Sequence, residues 1–179
     1  MLTLVLDGAR SGKSRFAQSL CGSGCRVVFV ATARADDDEM RVRIAHHQQA
    51  RPKQWHTIEE PLALARVVET RCSDFDVVLI DCLTLWLSNL CWEHRNDSED
   101  VLRTAASKDV ARLIAASSAS NVIVVSNEVG YGLVPESPVG RVFRDLQGWL
   151  NQDLATAANS VYQVVAGIPI PIKHPEAKL

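Results

Sequence analysis

Five short runs of mainly β-branched and other apolar residues recur along the chain, each separated from the next by a segment long enough for a helix. The runs occupy residues 2–6, 26–32, 76–81, 121–127 and 160–165. Continuous apolar runs are typical of strands buried on both faces, and connections of helix length join parallel strands. The sequence therefore predicts an α/β fold, in which a mostly parallel sheet is covered by helices on both faces.

Three further segments add detail to this sheet. Residues 166–173, AGIPIPIK, contain two prolines, which lack the N–H group of a sheet ladder, so we expect an edge strand or a terminal hairpin arm there. The apolar segment 82–95 predicts either deep burial or a subunit contact. A helix packed on the sheet is predicted by an apolar stripe at helical spacing, formed by Val139, Val142, Phe143, Leu146, Trp149, Leu150 and Leu154.

Length and charge narrow the class of protein. A chain of 179 residues that is 47% hydrophobic is expected to form a single domain, residues 1–179, around a sizeable core. Its 19 basic and 21 acidic side chains nearly balance, which argues against nucleic acid or an anionic membrane and favours a small-molecule partner. The sequence has no C-x-x-C pair, no signal-peptide core and no apolar stretch of the roughly 20 residues that a membrane span needs. We therefore expect a reduced, cytoplasmic protein.

The first apolar run leads into DGARSGKS, residues 7–14, which has nearly every part of the phosphate-binding pattern G-x-x-x-x-G-K-[ST]. In such a loop the backbone N–H groups at a helix start bind the phosphates, Lys13 reaches the β- and γ-phosphates, and the Ser14 hydroxyl ligates Mg²⁺. Asp7 stands where the pattern has its first glycine. We expect it to be harmless if its φ is negative and its side chain points away from the phosphates.

Two other predicted strands end in polar residues. The run before Asp81 matches the strand that ends in a magnesium-orienting acid in phosphate-loop proteins, and this match gains weight from following the first motif in the expected order. An N-K-x-D motif is absent, which argues against a switch-type GTPase. Asn127 and Glu128 follow another strand, at the edge where ligands bind in parallel sheets, so they either face the substrate or only connect the strand to the next loop.

The segment 36–60 combines acidic, basic and imidazole side chains. Three aspartates predict a helix start, and a proline near its end predicts the stop. At helical spacing Arg43, His47 and Arg51 would share one face, where guanidinium groups hold phosphate oxygens and favour the neutral imidazole that can attack phosphorus. His46 would point about 100° away. These residues alone leave open an ordinary solvated helix face with incidental histidines.

Longer motifs resemble one enzyme family over essentially the whole chain. The motifs include GARSGKSR, HHQQARPKQWHTIEEP, DCLTLWLSNL, SNEVGYGLVPESPVGRVFRDLQGWLNQ and VVAGIPIPIK. Together they are similar to the bifunctional adenosylcobinamide kinase / adenosylcobinamide-phosphate guanylyltransferase family of cobalamin biosynthesis. The most specific matches are H-x-x-x-R-P-x-x-W-x-T-x-E-E-P and S-N-E-V-G-x-G-[IL]-V-P-E, both at ungapped spacing.

The resemblance implies a RecA-like phosphate-loop fold, often assembled as a trimer, and two reactions. First, a nucleoside triphosphate, GTP or ATP, phosphorylates the aminopropanol hydroxyl of adenosylcobinamide. GTP then gives its GMP to a histidine, and adenosylcobinamide phosphate takes the GMP to form adenosylcobinamide-GDP. By motif the guanylylated residue is His47, with His46 as a close competitor, and Lys13 is the other catalytic residue.

Further site residues follow from the same resemblance. Ser14 and Asp81 are the implied Mg²⁺ ligands, and Asp7 departs from the family's paired glycines without removing a catalytic atom. The implied nucleotide-binding residues are Gly8, Ala9, Arg10, Ser11, Gly12, Lys13, Ser14, Arg15, Ala33, Arg34, Arg51, Glu59 and Asp81.

Two other functions fit part of the sequence: a plain small-molecule kinase without a covalent histidine, and a GTP-binding regulatory or assembly module.

Overall fold

The computed structural model describes residues 1–35, 38–49 and 51–174. Its centre is one seven-stranded sheet with the order β3-β2-β4-β5-β1-β6-β7, in which β1 to β6 are parallel and β7 is antiparallel to β6. The strands are β1 (Leu2–Asp7), β2 (Val27–Ala31), β3 (His56–Glu59), β4 (Val77–Asp81), β5 (Asn121–Asn127), β6 (Ser160–Val165) and β7 (Ile168–Lys173).

The predicted sheet is confirmed, including all five apolar strands and the proline-containing edge strand β7. Strand β3 was not predicted. It has only four residues, of which His56, Thr57 and Glu59 are exposed, because it forms the opposite edge of the sheet and buries little surface. A short, mainly polar edge strand lacks the apolar run on which the prediction of the other strands depends.

Six α-helices connect the strands within the described ranges: α1 (Lys13–Ser19), α2 (Asp38–Gln49), α3 (Leu64–Arg71), α4 (Leu83–Glu93), α5 (Glu99–Ala116) and α6 (Pro138–Ala157). Serine N-caps begin the two longest helices. The Ser98 hydroxyl accepts from the Val101 N–H at α5, and the Ser137 hydroxyl accepts from the Gly140 N–H at α6. None of the helices in the described part of the chain has the length and apolar character that a membrane span requires.

Helix α2 ends before the residue that was expected to share its face. Its last residue is Gln49, so Arg51 does not continue the helical row of Arg43 and His47, and this expectation was wrong. The physical reason is Pro52, whose ring disfavours helical geometry in the preceding residue. The side chains of Arg43 and His47 lie outside the described part of the chain, as do those of Glu39, His46, Gln49 and Cys72.

The sheet separates two apolar clusters, because alternate residues of each strand face opposite sides. The larger cluster lies under α3 to α6 and includes Leu4 and Val30, whereas the smaller lies under α1 and includes Val5 and Phe29. Burial on both faces explains why the central strands read as continuous apolar runs.

Helices α4 and α6 bury one side and expose the other. In α4, Trp86 is completely buried while Trp92 is 64% exposed, so deep burial describes only one face of this helix. The helix predicted at residues 139–154 is confirmed as α6, yet Val139 is 71% exposed and lies outside the core. Trp149, also partly exposed, carries the Arg103 guanidinium 4.2 Å above its ring instead of packing on the sheet.

Replacing Trp86 with Phe is expected to destabilise the protein. The Trp86 indole N–H donates to the Leu62 carbonyl at 2.6 Å, and a phenyl ring would leave that carbonyl without its donor. We expect the free energy of unfolding to fall by about 1–3 kcal/mol, measured by urea denaturation. The matched variant Trp92→Phe should change it by less than about 0.5 kcal/mol, because Trp92 is exposed. Equal effects of the two substitutions would contradict this assignment.

Candidate active site

The carboxyl ends of the parallel strands bring the predicted site residues to one edge of the sheet. Glu59 and Asp81 end β3 and β4, and both are register partners of Ala31 at the end of β2. Asp7 and Asn127 end β1 and β5 and pair with each other. Ligands bind at this edge in open α/β sheets, so the topology collects these residues where a substrate would lie.

The phosphate loop connects β1 to α1 at this edge. Helix α1 begins at Lys13, and Gly12 before it has a φ of +96°, a conformation that favours glycine. The Lys13 side chain is only 8% exposed, and its Nζ donates to the Gly8 carbonyl at 2.9 Å, so it folds over the loop. Arg10, at the tip, also has a positive φ of 59°. This strand, loop and helix form the context that the motif needs.

The turn between β6 and β7 packs directly on the phosphate loop. The Gly167 N–H donates to the Ser11 carbonyl at 2.7 Å. A Cβ atom at residue 12 would lie 3.1 Å from the Gly167 Cα, so any residue larger than Gly12 would push the turn away by a few tenths of an ångström. Next to the turn, the rings of Phe16 and Tyr162 meet edge to face at 5.1 Å. Sequence analysis missed the contact between this turn and the phosphate loop, because more than 150 residues separate Gly167 from Ser11 and Gly12.

Asp7 has the backbone conformation that the sequence analysis required of it. It is a regular strand residue with a negative φ, and its carbonyl accepts from the Glu128 N–H at 3.1 Å. Its carboxylate accepts from the Gln163 side chain, on the neighbouring strand β6, at 3.4 Å. The aspartate therefore fits the strand end without distorting the loop.

Arg51 presents a half-buried cation next to the two acidic strand ends. Its guanidinium lies 3.5 Å above the Phe29 ring, and its Nε and Nη1 atoms are buried with no hydrogen-bond partner among the described residues. Burial lowers the pKa of Arg51, while the charges of Asp81 and Glu59 act in the opposite direction. A half-buried guanidinium with unused donors is suited to receive an anionic ligand.

The loop after β2 is tied to the start and end of α4. The Thr32 hydroxyl donates to the Cys82 carbonyl at 2.8 Å and accepts from the Cys82 N–H at 2.9 Å. Further along, Arg34 pairs with Glu93 at 2.8 Å, which fixes the segment that contains Ala33. Burial, followed by the charge of Asp81, raises the pKa of Cys82 to about 11, so its thiol is protonated at neutral pH.

The contacts of Asn127 and Glu128 favour the connecting role over direct substrate contact. The Asn127 N–H donates to the Thr84 hydroxyl at 2.9 Å, and its carbonyl accepts from the Asn151 side chain at 3.1 Å. The Glu128 carboxylate accepts from the Gly130 N–H at 2.6 Å and closes the turn after β5. Asn151 is a site neighbour that sequence analysis missed, although it is a polar residue within the apolar stripe of α6.

The oxygen atoms at this edge fit a magnesium ion. Among the described residues no group of three or more His, Cys, Asp or Glu side chains could hold a metal. Mg²⁺ does not need such a cage, because it binds through one or two protein oxygens together with substrate phosphates and water. The half-buried Ser14 hydroxyl and Asp81 carboxylate supply donors of this type.

Comparison with known proteins identifies the family. The family model described as "Cobinamide kinase / cobinamide phosphate guanyltransferase" matches residues 3–172. The chain belongs to this family. It is 41% identical to the bifunctional adenosylcobalamin biosynthesis protein CobU of Escherichia coli strain K12, across 97% of this chain and 100% of that protein. It is 43% identical to the bifunctional adenosylcobalamin biosynthesis protein CobP of Pseudomonas aeruginosa, across 97% of this chain and 98% of that protein.

Family membership confirms the resemblance seen in the motifs and the phosphate-loop class of fold. It does not assign individual residues, so the site residues remain predictions that the geometry above makes specific. His46 and His47 lie on helix α2, but their side chains fall outside the described residues, and the choice between them stays a prediction.

Removing the Asp7 charge is expected to strengthen triphosphate binding modestly. A unit charge about 4 Å from another contributes roughly 1 kcal/mol in water, so Asp7→Gly should raise the affinity by a factor of about two to five. Isothermal titration at low and high salt measures this effect, which should shrink as salt screens the charge. Asp7→Gly changes both the charge and the backbone freedom at residue 7. Asp7→Asn removes only the charge, so comparing the two variants separates these effects. Weaker binding by both variants would show that Asp7 assists the nucleotide.

Proposed function

We propose that the chain phosphorylates adenosylcobinamide with a nucleoside triphosphate and then transfers GMP from GTP to adenosylcobinamide phosphate. Both activities are named in the description of its family. The observation that carries the proposal is the carboxyl edge of the sheet, where the phosphate loop, the acidic end of β4 and the half-buried Arg51 cation surround one area. We further propose that a single domain, residues 1–179, performs both reactions.

In the kinase reaction, the aminopropanol hydroxyl oxygen attacks the γ-phosphorus of GTP or ATP. The bond between that phosphorus and the bridging oxygen breaks, the nucleoside diphosphate leaves, and the hydroxyl proton is released. The loop residues Gly8, Ala9, Arg10, Ser11, Gly12 and Arg15 surround the phosphates, and Lys13 neutralises charge on the transferred group. Mg²⁺, held by Ser14 and Asp81, supplies charge neutralisation when bound.

In the transfer reaction, a ring nitrogen of His47 attacks the α-phosphorus of GTP, and pyrophosphate leaves. A phosphate oxygen of adenosylcobinamide phosphate then attacks the phosphorus of the guanylyl-histidine. The N–P bond breaks, histidine is regenerated, and adenosylcobinamide-GDP forms. Arg51 holds the nucleotide phosphate, Glu59 lies beside it at the strand end, and Ala33 and Arg34 line the nucleotide site.

The proposal also includes the location of the enzyme in the cell and its assembly. We propose that it works in the cytoplasm and assembles with copies of itself as a trimer. Support for self-association comes from large apolar side chains at the surface, among them Leu133, which is 97% exposed, and Ile168 on the edge strand β7. The nearly balanced charge supports a small-molecule substrate over nucleic acid or a membrane.

One variant, His47→Ala, separates the two reactions, because the phosphate loop serves both and the histidine only one. With α-labelled GTP, wild-type protein should acquire acid-labile, base-stable label, and His47→Ala should lose both label and GMP transfer while retaining phosphorylation of adenosylcobinamide. Lys13→Ala should lose phosphorylation, because it removes the cation that stabilises the transferred phosphate. His46→Ala is the matched control and should keep both activities.

Several outcomes would contradict this assignment. Label on His46 would make His46 the nucleophile, and full transferase activity in His47→Ala would exclude His47 from that role. Phosphorylation without any label on the wild-type protein would indicate a plain kinase. Binding of GTP with no turnover of adenosylcobinamide would indicate a regulatory module.

Replacing Arg51 should weaken binding without destabilising the protein. Arg51→Met removes a half-buried cation whose Nε and Nη1 atoms are buried with no partner among the described groups, so the free energy of unfolding should be at least that of wild type. Triphosphate affinity should fall by about tenfold to a hundredfold, as expected for hydrogen bonds between charged groups. Arg66→Met, on the exposed side of α3, is the control. Unchanged affinity in Arg51→Met, measured by titration, would remove Arg51 from the site.

A further inference from the structure

A buried cluster of polar side chains lies where β5 meets α6. The Gln147 amide nitrogen donates to the Ser126 hydroxyl at 3.0 Å and to the Asn151 Oδ1 at 3.1 Å. The Ser126 hydroxyl donates to the same Asn151 oxygen at 2.6 Å, which closes a triangle. Ser126 and Gln147 are 0% exposed and Asn151 only 7%, so the triangle is sealed from solvent. We call Ser126, Gln147 and Asn151 the buried triangle.

The buried triangle is not optimised for stability. The Gln147 Oε1 atom is buried with no hydrogen-bond partner in the described part of the chain. A buried acceptor without a partner costs free energy, and an apolar side chain of similar shape would avoid that cost. Polar groups retained at such a cost in a core often fix a specific arrangement of neighbouring elements.

The side-chain amide of Asn151, which the buried triangle does not use as a donor, binds the end of β5. The Asn151 Nδ2 donates to the Asn127 carbonyl at 3.1 Å. On one side of Asn127, the next residue, Glu128, donates its N–H to the Asp7 carbonyl at the entrance of the phosphate loop. On the other side, the Asn127 N–H donates to the Thr84 hydroxyl at the start of α4, three residues after Asp81. Asn127 therefore lies between the phosphate loop and the acidic end of β4.

We propose that Gln147 and Asn151 are positioning residues that set the separation of the phosphate loop and Asp81 by fixing Asn127. Neither side chain needs to touch a substrate. The inference rests on the proposed function, because that function gives the phosphate loop and Asp81 their roles. Without Gln147, only Ser126 holds the Asn151 oxygen, so the Asn151 amide can rotate and release the Asn127 carbonyl.

Gln147→Met tests this proposal, because methionine has a similar length and removes both the orphan acceptor and the two donated hydrogen bonds. We expect the thermal midpoint of unfolding to equal or exceed that of wild type. The kcat of both reactions should fall by about tenfold to a hundredfold, as expected for a small misplacement of catalytic groups. The KM for the triphosphate should stay near the wild-type value, since the N–H groups of the loop keep their own geometry.

Two further variants sharpen the test. Gln152→Met makes the same substitution on the exposed side of α6 and should leave kcat, KM and the thermal midpoint unchanged. Asn151→Leu keeps the approximate size of the side chain but removes both the acceptor of the buried triangle and the donor to Asn127, so kcat should again fall. This variant decides the question if Gln147→Met does not fold.

A purely structural role gives the opposite pattern, in which the thermal midpoint falls and kcat of the folded protein stays at the wild-type value. That result, or wild-type kcat in both folded variants, would overturn the inference, as would failure of both to fold. Wild-type protein assayed in parallel distinguishes failure of this inference from failure of the proposed function. Activity in the wild type with unchanged variants rejects only the positioning role, whereas an inactive wild type rejects the proposed function and this inference with it.

Discussion

The parallel alignment of β1 to β6 is the constraint on which the rest of this structure depends. Parallel strands cannot be joined by tight hairpins, so each connection must cross a face of the sheet, and the crossing helices cover both faces. All six strands consequently end at the same edge. Residues as distant in the chain as Asp7, Glu59, Asp81 and Asn127 lie along that edge, although no local contact along the chain would bring them there.

The same constraint explains the balance of polar and apolar groups. Strand interiors are packed between helices and contain almost only apolar side chains, so polar chemistry is confined to strand ends and the loops after them. Two departures from this pattern among the described residues are informative. The Arg51 guanidinium and the buried triangle both place polar atoms without partners in buried positions of the described structure, and both adjoin the carboxyl edge. Such groups are expected where function, more than stability, has shaped the sequence.

Much of the fold followed from periodicity because burial on both faces leaves an unmistakable apolar run for each central strand. Strand β3 was not predicted, since an exposed edge strand has no such run. The expected position of Arg51 on helix α2 was wrong, because Pro52 ends that helix before Arg51. The phosphate loop and Asp81 could be found from local motifs. The Gly12–Gly167 contact, the cation over Phe29 and the role of Gln147 could not, because each depends on how distant segments pack. Sequence spacing contains no information on such contacts until the topology is known.

The contact between Gly12 and Gly167 also bears on how the protein is made. The loop that begins the chain is supported by a turn near its other end, through the hydrogen bond from the Gly167 N–H to the Ser11 carbonyl. Synthesis proceeds from the amino terminus, so the strand and helix that flank the loop leave the ribosome long before this support exists. A nascent chain therefore gains this support for its phosphate loop only when the β6–β7 turn has emerged, so the last part of the sheet to be made completes the packing of the first loop.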